Sequence, residues 1–308
     1  MINTNFKSII GLLKSFPNEQ SCINHLEELR WNGKVVSSFD SESIVYSCAG
    51  NKYKCKNTGK YFNVKTNTLF DNTKIKLQNW FLAIYIVTSH KKGISSLQLA
   101  KDIDVTQKTA WFMIQRIRNC FGDSSEMLSG KVEVDETYVG GDINKMNTAK
   151  KKEMNQKGFK SGYQHKTPVL GMIERKGNIK TMKINKSYGK KIKPILYNNI
   201  HKDTAVITDG FGAYKDIDKV FKGHVKIEHA KGIYALNSFH TNTIGGFWSL
   251  FKRGMIGIYY FTSKKHLQMY IDEFTFRYNS RDICTSRRFN LMLNNIEHRL
   301  TYNNLING

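Results

Sequence analysis

The sequence predicts an α+β fold, from three stretches of different character. A strand-like, turn-punctuated tract lies near the N-terminus, an apolar stretch without Gly or Pro follows it, and residues 131–235 alternate strand and helix signals. In residues 1–75, Phe6 to Phe16 and Ser21 to Arg30 read as helical. Ile44 to Tyr46, Lys52 to Cys55 and Tyr61 to Val64 then read as short antiparallel strands between Gly50 and Gly59 turns. Residues 76–121 read as helices, opening on Leu77 to Tyr85. In the alternating region Val132 and Val134 flank Glu133. Val169 to Ile173, Ile179 to Ile184, Ala205 to Thr208 and Val225 to Ile227 read as strands, and Lys190 to Ile200 and Ala213 to Phe221 as helices. This order predicts a mixed sheet with helices on its faces. Thr243 to Arg281 reads as two helices around a Gly254–Gly257 break, and Lys145 to Tyr163 as a polar, basic, mobile loop.

Hydrophobic residues make up 40% of the chain, enough for a core. Lys and Arg total 48 against 25 Asp and Glu, a net charge of +23 that points to a polyanionic partner. The basic excess is concentrated: Lys145 to Lys193 holds 15 Lys or Arg and two acids, Glu153 and Glu174. No apolar run is long enough to cross a bilayer, so no membrane is expected. The N-terminal residues lack a secretory pattern. Cys22, Cys48, Cys55, Cys120 and Cys284 are odd in number and irregularly spaced, as reduced cytoplasmic thiols are.

Ser95 to Met113 has the pattern of a helix-turn-helix. Small Ala100 lets the helices cross closely, Leu99, Ile103, Val105, Ala110 and Met113 fall on the inner side, and Asp104 stands at a turn that favours positive φ. Thr106 is a suitable N-cap. The second helix offers Thr106, Gln107, Lys108 and Thr109 to DNA base edges, and Arg116 and Arg118 to phosphates.

Asp135 lies on a strand that otherwise reads as buried, and Asp209 ends another at a glycine turn. A buried carboxylate is costly unless paired or metal-bound, so two such acids in one sheet suggest a shared divalent-ion site. Capping of a turn is the competing reading for each.

Val132 to Gly141, Ile207 to Tyr214 and His240 to Gly254 together resemble the blocks of the ISXO-like group of bacterial insertion-sequence transposases. In that group a zinc ribbon and helix-turn-helix precede an RNase H-like DDE domain, and the likeness extends from about Leu26 to Arg281. The resemblance implies three segments: a degenerate ribbon-like module over 1–75, a DNA-binding helix-turn-helix over 76–121 and an RNase H-like domain over 128–285. It also implies that Asp135 and Asp209 hold two Mg²⁺ or Mn²⁺ ions, about 3.5–4 Å apart, for strand cleavage and transfer. Lys252 is then expected to meet phosphate. Transposon ends and target DNA are the implied partners, bound by a homo-oligomer associated with the nucleoid.

Two departures qualify the resemblance. Where the group often has Thr-Ile-Glu-Gly, this chain has Thr243-Ile244-Gly245-Gly246, so the slot of the third acid holds no ligand atom. Asn242, as in some relatives, is one candidate substitute, with helix capping its competing role. Glu133, two residues from Asp135 and about 6.6 Å away on the same strand face, is another. The ribbon's two Cys-x-x-Cys pairs read Ser37-Ser38-Phe39-Asp40 and Cys55-Lys56-Asn57-Thr58, so no zinc is expected. Three function classes follow: an active transposase, a DNA-binding derivative that has lost catalysis, and a nuclease on the same fold. Glu273, Arg277 and Arg281 read either as an exposed ion-paired stripe or as residues facing the site, and His224 and His229 read as structural.

Overall fold

The computed structural model describes residues 5–122, 126–159 and 162–307. Contacts divide the chain into two compact units, Met1–Gly122 with Ser280–Gly308, and Asp123–Asn279. The first unit begins with α1 (Ile9–Ser15) and α2 (Glu19–Trp31), capped by the Ser8 and Asn18 side chains. An antiparallel sheet of β1 (Val45–Cys48), β2 (Lys52–Cys55) and β3 (Tyr61–Phe62) follows. The helical stretch becomes α3 (Leu77–Ser89), α4 (Ser96–Asp102) and α5 (Gln107–Arg118).

The second unit is built on five strands: β4 (Lys131–Val139), β5 (Thr167–Glu174), β6 (Ile179–Lys183), β7 (Ala205–Asp209) and β8 (Gly223–Ile227). They lie in the order β6-β5-β4-β7-β8. The β6-β5-β4 half is antiparallel and the β4-β7-β8 half parallel, the mixed sheet that the alternating signals predict. Its helices are α6 (Thr148–Gln156), α7 (Gly189–Asn199), α8 (Asn242–Gly254) and α9 (Leu267–Asn279). The chain ends in α10 (Thr285–Leu293) and α11 (Tyr302–Asn307), which pack with the first unit.

That return revises the expected boundaries. Residues 1–75 and 76–121 share a core in which the Phe16 and Phe81 rings lie 4.9 Å apart. Phe289 joins it from α10, 5.3 Å from Phe81, so residues 280–285 belong with this unit rather than with the sheet. Within the ribbon-like part, Ser37 Oγ accepts from the Phe39 and Asp40 amides at 3.2 and 3.3 Å. Asp40 accepts from the Asn57 amide at 2.8 Å. The Ser37, Ser43 and Thr58 hydroxyls gather at the sulfur of buried Cys55.

In the second unit each sheet face carries its own core. Val132, Val134, Leu170 and Met172 pack with Ile192 and Leu196 of α7. On the other face Val169 and Ile173 pack with Phe247, Trp248 and Phe251 of α8 and with Ile271 and Phe274 of α9. Gly171 of β5 lies opposite Asp135 in the ladder. A Cβ there would come within 2.5 Å of the Trp248 ring, so the missing side chain is what lets α8 lie close beneath Asp135.

Two expectations from local sequence do not hold. The stretch read as a mobile loop contains α6, capped by Asn147 and built from good helix formers, with a Glu153–Lys157 pair at 2.5 Å. None of its residues is buried, which is why it shows no apolar period. The helix expected over Ala213 to Phe221 is two 3₁₀ turns separated by Asp216, whose φ is 63°.

Candidate active site

Asp135 and Asp209 are brought together by strand register. β4 and β7 run parallel with Glu133 opposite Ile207 as their last pair; Asp135 and Asp209 each lie two residues beyond it, close enough for the Asp209 charge to act on Asp135. Asp209 Oδ1 accepts from the Phe211 amide at 2.9 Å, and Asp135 Oδ1 from the Glu136 amide at 2.8 Å. Burial, and then the Asp209 charge, push the Asp135 carboxyl up to about 6, while the Glu136 amide, Lys252 and His229 pull the other way. On the opposite face Glu136 is pushed up to about 8, by burial first, with the Tyr214 hydroxyl drawing it down and both aspartates raising it. Two neighbouring interior strands thus bring together two hard oxygen donors, a set that suits a divalent cation on two of its sides.

The third side comes from α8. Gly245 and Lys252 stand seven residues apart, nearly two turns, on one face of this helix. Lys252 is near enough to Asp135 to favour its charged form, so this face looks toward the acids. A Cβ at Gly245 would meet no atom within 4 Å, so a side chain there has room. Asn242 is the exposed first residue of α8 and Thr241 holds the N-cap position, so the capping role weighed for Asn242 is not the one it takes. Among the described residues, no group of three or more His, Cys, Asp or Glu is placed to hold one ion.

Glu133 is engaged elsewhere. It is fully buried, and its oxygens accept from the Thr243 and Ile244 amides at 3.0 Å each and from the Thr243 hydroxyl at 2.8 Å. Arg175 Nε adds a contact at 3.2 Å. The carboxylate therefore closes the open N–H groups at the start of α8, where the helix dipole favours negative charge. Its lone pairs are occupied, so it is not a substitute metal ligand. Arg175 also donates to the Ser238 and His240 carbonyls, tying the approach to α8 to the same carboxylate. Neither Arg175 nor His229, which faces Asp135 and meets Thr241 at 3.2 Å, carries a local signal in the sequence. His224 meets the Thr208 hydroxyl at 2.8 Å. Glu273 and Arg277 form a buried ion pair, neither an exposed stripe nor part of the acid cluster.

In the first unit the helix-turn-helix residues divide. Asp104 has a φ of 52°, and Thr106 caps α5 by accepting from the Thr109 amide at 3.2 Å. Thr106, Gln107 and Lys108 are exposed and Thr109 partly so. Arg116 and Arg118 are buried, contrary to the phosphate-facing expectation. The Arg116 guanidinium donates to the Leu300 and Asp71 carbonyls at 3.1 and 2.6 Å and lies over Trp80 and Phe112. The four-residue spacing of a helix returned this arginine to the core side, where it joins α5 to the C-terminal segment.

With Asp135 in mid-strand on β4, Asp209 at the end of the neighbouring parallel β7 and the Lys252 turn of α8 near them, the second unit has the mixed sheet of an RNase H-like domain. Residues 127–279 match the model of the ISXO2-like transposase domain, nearly coextensive with that unit. The chain is 28% identical, over 86% of its length and 92% of the relative's, to an uncharacterized protein in transposable element ISH50 of Halobacterium salinarum. It is 32% identical to an uncharacterized transposase-like protein of Haemophilus influenzae, over 29% of this chain and 72% of that one. The chain belongs to the ISXO2-like family of insertion-sequence transposases. No helix among the described residues is long and apolar enough to cross a membrane.

Two outcomes follow. Glu133→Ala strips the start of α8 and leaves Arg175 unpaired, and it is expected to lower the unfolding free energy in urea by about 3–5 kcal/mol. Asp135 has a folded-state value raised above its unfolded 3.8, so its charge opposes folding above about pH 6 and has no effect below about pH 4. Asp135→Asn is therefore expected to stabilise the metal-free protein at pH 7 by about 2–3 kcal/mol, with the gain disappearing near pH 4.

Proposed function

We propose that this chain is a DNA transposase whose Asp135 and Asp209 bind divalent cations at an RNase H-like sheet for strand cleavage and strand transfer. The observation that carries the reading is the parallel pairing of β4 with β7, just beyond which the half-buried Asp135 and Asp209 lie close enough for one charge to act on the other, beside Lys252. Mg²⁺ or Mn²⁺, as two ions held by these carboxylates, would supply charge neutralisation and polarisation of the scissile phosphodiester. Lys252 positions a phosphate from the helix side. The four residues Thr106 to Thr109 read base edges, while Lys91, Lys92 and Lys101, exposed near α4, take the phosphate contacts that Arg116 and Arg118 do not make. The segments 1–75, 76–121 and 128–279 act as ribbon-like, DNA-reading and catalytic parts. Two transposon ends call for a homo-oligomer on DNA, in association with the nucleoid.

Gly245 favours a second reading, a transposase-derived DNA-binding protein with reduced or no turnover. With no carboxylate at that slot, Asn242, one turn earlier on α8, offers the amide oxygen for the third side. In a cleavage assay on terminal inverted repeats with Mg²⁺ or Mn²⁺, the wild type is expected to be slow and Gly245→Glu at least about tenfold faster, a gain of about 1.4 kcal/mol in barrier. Robust wild-type cleavage that Gly245→Glu leaves unchanged would overturn the impairment.

The ribbon-like part does not fit zinc: its four ligand positions hold Ser37, Asp40, Cys55 and Thr58, one thiol among weaker or harder donors. The hydroxyls at the Cys55 sulfur replace a metal cross-link by hydrogen bonds. Purified protein is expected to contain little zinc by elemental analysis, and the variant combining Ser37→Cys, Asp40→Cys and Thr58→Cys to contain a stoichiometric amount. Stoichiometric zinc in the wild type would refute this.

A further inference from the structure

The most exposed large apolar residues among those described fall within six positions of one another. Ile256 is 73% exposed, Tyr260 83% and Phe261 79%. They follow directly on α8, in a π-helical turn over Met255–Tyr259 and the residues after it. Scattered exposed apolar residues are ordinary, but three together at the end of a functional helix ask for a partner.

The backbone presents them at a cost. Tyr260 has φ 58° and ψ −45°, and the Phe261 amide donates to the Tyr259 carbonyl at 2.6 Å. This is a γ-turn with positive φ, a strained conformation for a bulky aromatic residue. The turn is fixed from its inner side. The Tyr259 hydroxyl donates to buried Glu273 at 2.6 Å, and its ring packs 4.9 Å from Tyr270. With Tyr259 anchored inward, the γ-turn directs the next two rings out to solvent. Strain of this kind persists where the surrounding structure enforces it, and it gathers at functional positions.

Charge around the turn selects the occupant. Lys252 and Arg253 end α8, and Lys264 and Lys265 follow the two rings; all four are exposed, and no acid lies between Lys252 and Lys265. Aromatic rings set among cations are the composition of a surface that stacks nucleic-acid bases while neutralising the backbone. An apolar protein partner would gain nothing from that charge. Lys252, eight residues before Tyr260, is near enough to Asp135 for its charge to act on that carboxyl, so the chain links the two places closely.

We propose that Tyr260 and Phe261 form a stacking platform for unpaired DNA bases next to the candidate active site, holding the strand end clear of its duplex. The proposal rests on the DNA-transposase reading above. Its chemistry is sequence-tolerant, since every base has a flat apolar face.

The test compares a blunt duplex with the same duplex carrying a single-stranded 3′ overhang that contains 2-aminopurine. The wild type is expected to bind the overhang form more tightly, by about five- to hundredfold, and to quench the 2-aminopurine fluorescence. In the Tyr260→Ala, Phe261→Ala double variant the ratio of the two affinities falls to near one and the quenching is lost. Phe261→Trp retains both. Tyr260→Gly relieves the positive φ, so it is expected to raise the melting temperature while lowering the overhang preference. A wild type that binds blunt duplex in a salt-dependent way without preferring the overhang overturns the platform and leaves the DNA reading standing. A preference that survives in the double variant does the same. A wild type that binds neither form removes the DNA reading and the platform with it. Self-association of the wild type that the double variant abolishes, with the overhang preference intact, also overturns the platform and makes the patch a contact between copies.

Discussion

The buried carboxylate of Glu133 at the start of α8 is the interaction on which the candidate site depends. It lies on the central strand of the sheet and closes the free amides of a helix distant in sequence. A charge buried this deeply is tolerated only because amides, a hydroxyl and Arg175 all donate to it. In return it fixes where α8 begins relative to β4. Everything that α8 then offers to the acids, from Asn242 through Gly245 to Lys252, follows from that one attachment and from helical geometry.

A small residue completes the placement. Gly171 leaves space for the Trp248 ring against the strand, so α8 packs close to the sheet directly below Asp135. Attachment at one end and close packing in the middle leave the helix little freedom. The Gly245 face is therefore held toward the acids although it carries no side chain of its own. Open space at that position is consistent with a frame that keeps room for a carboxylate the chain lacks.

Strain and charge are distributed unevenly over the second unit. Its interior is ordinary apolar packing on two sheet faces. The acids crowd on the neighbouring interior strands β4 and β7, where burial and then the Asp209 charge raise the Asp135 carboxyl. The cations and the strained γ-turn lie in and just after the last turn of α8, from which Lys252 acts on Asp135. An anionic polymer lying across these cations and a cation-neutralised acid pair would satisfy both imbalances at once, which is the physical sense of a transposase reading for this family member.

The sequence alone determined the α+β class, most strands of both sheets, the helices α4 and α5 with the positive-φ Asp104 between them, and the family. These rest on period, turn chemistry and local motifs, which act over a few residues. Only the tertiary structure decided the rest. Glu133 and Asp135 share a strand face and a carboxylate group, yet one binds a helix and the other stays open, because the α8 N-terminus arrives at one and not the other. Arg116 and Arg118 read as phosphate contacts because arginine on a DNA-reading helix is usually exposed, but α11 and the C-terminal segment are packed with this unit from far along the chain. Polar α6 was invisible because a helix that buries no face leaves no apolar period. Burial, partner and direction are properties of what approaches from elsewhere, and no local pattern encodes them.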